Sequence, residues 1–172
     1  MKKLTAILLC AAMLFTLTAC AGAKGEPESA LIECETEFIY ISYQENLPEV
    51  PVVKMISTEK EFKAFYDEMN ENKDRQVSMP VFFDLLVKYT EEFFDDKAVV
   101  FTIFYEDSSS HSFYLDSLIK GADGKLYVNI EDARKNSVMT DDVVTWCAFI
   151  EIEKQHLPEN VDDIVILQSK GW

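Results

Sequence analysis

Apolar and polar residues follow two rhythms along this chain, and the places where the rhythm changes mark its elements. From Ile32 to Tyr43, Glu33, Glu35 and Glu37 alternate with Ile32, Cys34 and Phe38, which predicts a long half-exposed strand. Asn46 to Pro51 turns the chain, and Val52 to Ile56 forms a short second strand. The period then lengthens: Phe62, Phe65, Tyr66 and Met69 fall on one face of a helix over 59–71. Its start is marked by Thr58 and Glu61, the Thr-x-x-Glu spacing of a capping box. A polar stretch over 70–78 follows, and Pro80 suits the first turn of a second short helix ending near Tyr89.

Beyond Lys97 the pattern is that of strands. Ala98 to Tyr105 is almost continuously apolar and β-prone, as a central strand covered on both faces must be. Glu106 to Ser110 turns it into a strand over Ser112–Ile119, and Gly121-Ala122-Asp123-Gly124 connects tightly to Lys125–Ile130, where Leu126, Val128 and Ile130 point inward. A polar loop over 131–142 precedes strands at Val143–Glu153 and Asp163–Leu167. Helices grouped early and strands late define an α+β fold. The expected architecture is an antiparallel sheet of six or seven strands with two helices on one face, built by residues 30–172 as a single domain.

The first twenty residues place the protein. Lys2 and Lys3 precede an apolar run from Ala6 to Leu17, too short to span roughly 30 Å of hydrocarbon comfortably, so it is an export signal and not a resident helix. Leu17-Thr18-Ala19-Cys20 resembles the lipobox of bacterial lipoproteins. That resemblance implies cleavage after residue 19, a diacylated Cys20 as the mature N-terminus, and residence on the outer side of a bacterial cell membrane. Two or three acyl chains, at about 0.8 kcal/mol per buried methylene, hold far more firmly than one. Residues 20–29 then form the lipidated cysteine and a small, polar tether. Cys10 leaves with the signal, so Cys34 and Cys147 remain either as a disulfide pair or as two separate buried thiols.

Charge narrows the partners. The chain carries a formal charge of −15, and loss of Lys2 and Lys3 with the signal takes it to −17. Such a field repels phosphate backbones and argues against a nucleic-acid partner. With only five glycines, none in a phosphate-cradling or nucleophile-elbow pattern, nucleotide chemistry and an α/β-hydrolase are excluded. Ser57-Thr58-Glu59-Lys60 and Ser117-Leu118-Ile119-Lys120 both match Ser-x-x-Lys, but Ser-Asp-Asn and Lys-Thr-Gly are missing; Ser57 and Thr58 fit helix capping. His111 and His156 lack the short-range partners of a zinc site, so no metal or cofactor is assigned. Glu91, Glu92, Asp95 and Asp96 form an acidic group around Phe93 and Phe94, open to Ca²⁺ as an alternative to a polar turn.

Phe93-Phe94-Asp95-Asp96-Lys97 leading into an apolar strand, two further strands, and Ile150-Glu151-Ile152-Glu153-Lys154 resemble the C-terminal domain of accessory subunits of a bacterial surface protease complex. The likeness covers residues 90–168, with Ser109-Ser110-His111 where that pattern has Gly-Gly-Tyr. It implies a non-catalytic module that stabilises or positions a protein partner. The expected function is therefore a membrane-anchored, non-enzymatic interaction module for an extracytoplasmic protein, the alternative being a binder of a small molecule or Ca²⁺. Phe93, Phe94, Tyr114, Trp146 and Trp172 are the candidate contact residues; Trp172 either folds back onto the sheet or offers a contact.

Overall fold

The computed structural model describes residues 29–41, 51–71, 79–106, 112–133 and 144–169. The expected export signal, Cys20, the expected tether through residue 28, His111 and Trp172 lie outside the described residues. Eight strands are present among the described residues: β1 (Ala30–Leu31), β2 (Glu35–Ile41), β3 (Val52–Ile56), β4 (Lys97–Glu106), β5 (Phe113–Lys120), β6 (Leu126–Asp132), β7 (Val144–Glu153) and β8 (Ile164–Ser169). Three helices, α1 (Glu59–Glu71), α2 (Met79–Lys88) and the single turn α3 (Phe93–Asp96), precede β4.

The fold is α+β, but the strands do not make one sheet. They form two four-stranded sheets, ordered β1-β5-β6-β8 and β2-β7-β4-β3, and β8 runs parallel to β6. The single antiparallel sheet is thus corrected, and the composition of β4 and β7 gives the reason. Both strands are apolar on both faces, so one face takes the helices and the other takes a second sheet. Val99, Phe101, Ile103, Cys147 and Phe149 meet Phe62, Phe65 and Met69 of α1, with Leu85, Tyr89 and Phe94. On the reverse side, Ala98, Val100, Phe104, Ala148, Ile150 and Ile152 meet Leu118, Leu126, Val128, Ile130 and Ile164 of the other sheet.

The predicted strand over 32–43 is divided between the sheets. Ala30 and Leu31 pair with Lys120 and Ile119, the Ile32 N–H donates to the Leu118 carbonyl at 2.8 Å, and the chain then crosses to pair β2 with β7. The alternation survives the crossing: Ile32 is buried between the sheets with Cys34 and Phe38 packed against it, while Glu33 and Glu35 are exposed. Helix α1 begins where its capping box places it. The Glu61 N–H donates to Thr58 Oγ1 at 3.1 Å, and the Glu61 carboxylate accepts from the Ser57 N–H at 2.7 Å.

Of the two alternatives for the cysteines, the structure has separate thiols. Cys147 points from the middle of β7 into the helix-side core, whereas Cys34, half-buried, packs on the inter-sheet side. Register separates them further, because Cys147 pairs with Ile39 while Glu35, next to Cys34, pairs with Glu151. No rotamer joins sulfurs on opposite faces of one sheet. Burial pushes the Cys34 thiol above its usual pKa.

Candidate functional site

Three of the four sheet faces are covered; the outer face of the β1-β5-β6-β8 sheet is not, among the described residues. Register builds this face. Leu31 pairs with Ile119, Ile119 with Tyr127 and Tyr127 with Val165, so one apolar row crosses all four strands over about 14 Å at the usual strand spacing. The next row is Ser117, Asn129 and Leu167, tied by a bond of 2.7 Å from Asn129 Nδ2 to Ser117 Oγ. Leu31 is 72% exposed, Leu167 46% and Tyr114 42%, while Ile119, Tyr127 and Val165 are half-buried.

Two tyrosines are fixed on this face by carboxylates. Tyr114 Oη donates to Glu131 Oε2 at 2.6 Å, and Tyr127 Oη donates to Asp123 Oδ2 at 2.8 Å. These bonds hold both phenols above their usual pKa and the Asp123 carboxyl below its own. Tyr127 also lies against the backbone of Gly121, where a Cβ would come within 2.7 Å of the ring. The hairpin that carries it closes through Gly124, at φ +84°, a conformation glycine adopts without the strain of a side chain. A β-bulge at Asp116 separates Leu115 from Ser117 and turns that carboxylate outward. The face therefore offers aliphatic side chains and oriented aromatic rings bordered by Asp116, Asp123 and Glu131.

The sequence-predicted contact residues are dispersed. Among those that are described, Tyr114 alone lies on the open face. Phe94 is 4% exposed and belongs to the helix-side core, which removes it as a contact residue. Phe93 is half-buried, 4.9 Å between ring centroids from Tyr89, with the Lys97 ammonium over its ring. Trp146 is half-buried between the sheets, edge-on to Tyr40 and Phe113. Leu31, Ile119, Tyr127, Val165 and Leu167 were not singled out by sequence; the signal available for β8 was Ile-Val-Ile-Leu, more apolar than a strand with one wet face needs.

A second polar cluster lies at the helix layer. Glu151 of β7 is buried, and its carboxylate pairs with Lys88 at 2.5 Å and Lys97 at 3.5 Å and accepts from Tyr89 Oη at 3.4 Å. Both its oxygens are engaged, so it reads as a clamp of α2 and β4 onto β7. The acidic group forms an open hollow lined by Glu59, Thr90, Glu91, Glu92 and Asp95. Among the described residues no three His, Cys, Asp or Glu side chains converge as a metal ion requires, and no helix is long and apolar enough to cross a membrane. Comparison with known proteins gives no match: no family model fits the chain, and no curated protein or solved structure is similar to it.

Proposed function

We propose that this chain is a lipid-anchored extracytoplasmic module that binds another protein and carries out no catalysis of its own. The observation that carries the reading is the uncovered sheet face, where Leu31, Ile119, Tyr127 and Val165 make an unbroken apolar row beside Leu167 and Tyr114. A contiguous apolar surface with a polar rim is what a partner site requires, and tyrosines held by hydrogen bonds lose little conformational freedom on binding. The export signal and lipobox of residues 1–20 supply the location, and the likeness of residues 90–168 to an accessory-subunit domain points to the same kind of work.

The test is chemical crosslinking on intact cells carrying the full chain, compared with Leu31→Lys and Leu167→Lys. Both side chains are exposed, so the substitutions should leave the melting temperature within about the change of a neutral surface mutation. The reading expects a specific adduct with an extracytoplasmic protein that both substitutions abolish. Adducts that survive both, with the fold intact, contradict it.

A further inference from the structure

Edge strands are templates for pairing, and natural sheets protect them by brevity, charge, proline or a bulge. Three of the four edges here carry such a device. Strand β1 is two residues long, and β5 behind it is bulged at Asp116. Strand β2 bears Glu35 and Glu37, and β3 bears Lys54, paired with Glu68 at 2.5 Å. Strand β8 has none of these. Its six residues, Ile-Val-Ile-Leu-Gln-Ser, hold no charge and no proline; it pairs with β6 without a register shift; and among the described residues no strand lies on its far side.

We infer that β8 is where a partner adds a strand, so that an extended segment of that partner continues the β1-β5-β6-β8 sheet. This rests on the proposed interaction role and specifies its mode. Backbone hydrogen bonds from the free edge would supply affinity, and Val165 and Leu167 would meet alternate side chains of the incoming strand on the open face. The surroundings select the chemistry of that strand. Asp162 and Asp163 precede β8, while Asp116 and Glu131 line a hollow with Leu167 and Gln168. The occupant is therefore a segment with Lys or Arg at the alternate positions that share the open face, their aliphatic stems on Val165 and Leu167 and their charged ends toward Glu131 and Asp116, and with apolar residues between them on the side of Ile164 and Ile166. A second copy of this chain brings a charge of −15 to meet −15, and so fits the edge less well.

The experiment uses the purified full chain in detergent micelles and a short, end-capped fluorescent peptide alternating Val with Lys, read by anisotropy. Two further peptides replace Lys by Glu, or carry N-methyl groups on alternate backbone nitrogens. The inference expects binding that weakens with salt, and a loss of at least about tenfold with the Glu peptide, with the N-methylated peptide and with Leu167→Lys. Failure of the Lys peptide to bind overturns it. Binding that survives N-methylation also overturns it, since the open face then docks without strand addition and the broader interaction role stands. Self-association abolished by Leu167→Lys, without peptide binding, assigns the edge to a second copy and overturns it as well. The N-methyl comparison is made on the unaltered chain, so it holds even if the variant is unstable.

Discussion

The clamp at Glu151 predicts an asymmetry in stability. Its side chain is 3% exposed and its neighbours Lys88 and Lys97 are 39% and 42% exposed, so the three charges are not equally dependent on one another. Replacing Lys88 by Met keeps most of the aliphatic stem but removes the ammonium at 2.5 Å, leaving a buried carboxylate with Lys97 at 3.5 Å and the Tyr89 hydroxyl at 3.4 Å. Breaking a fully buried pair from one side costs about 3–5 kcal/mol, and the two remaining partners reduce this to roughly 2–3 kcal/mol. Replacing Glu151 by Met instead leaves two ammonium groups that already reach solvent and can swing outward. The Tyr89 hydroxyl loses its acceptor, so the cost is about 1–2 kcal/mol. Urea unfolding followed by circular dichroism, with slopes compared to confirm a change in stability alone, gives both values. The double substitution should cost less than the sum of the singles. The reasoning fails if Glu151→Met is as damaging as Lys88→Met, or if the two effects simply add.

Alkaline pH should loosen the same clamp. Burial pushes Lys88 down, but the hydrogen bond and charge of Glu151, with Glu37 and Glu35, raise it above the usual lysine range. Burial and then the charges of Glu151 and Glu37 also push the Tyr89 phenol strongly up. Groups raised on folding contribute stability below their unfolded pKa values and lose it as pH climbs towards the folded ones. The melting temperature should therefore fall above about pH 10, less steeply in Tyr89→Phe. Thr58→Ala, which removes the acceptor for the Glu61 N–H, should cost about 1 kcal/mol in the same urea assay. Alkylation of the unreduced, denatured protein should label both Cys34 and Cys147 by mass; a species with neither labelled would contradict the separated thiols.

The sequence revealed the elements better than their assembly. Helix α1 occupies 59–71 as its periodicity and capping box require, and β4 is buried on both faces as its unbroken apolar run demands. Alternation in β6 likewise fixed Leu126, Val128 and Ile130 as inward. Alternation says which side chains face the core but not which sheet owns the strand, so the division into two sheets, the break between β1 and β2 and the parallel β6–β8 pair were not legible. The same limit applies to the candidate site. Phe94 of α3 and Tyr114 of β5 are both aromatic, and only the assembly, which packs one into the helix-side core and leaves the other on the open face, separates core from surface. Leu31, Ile119, Tyr127 and Val165 become one row only through register, a long-range property that no local pattern carries.

Photo-crosslinking on intact cells tests the central claim most directly, with a photoreactive residue placed at Leu167, at Tyr114, or at Glu68 on the exposed side of α1 as a control. The account predicts that Leu167 and Tyr114 yield the same extracytoplasmic protein and that Glu68 yields none. Equal adducts from all three positions, or from Glu68 alone, would contradict it.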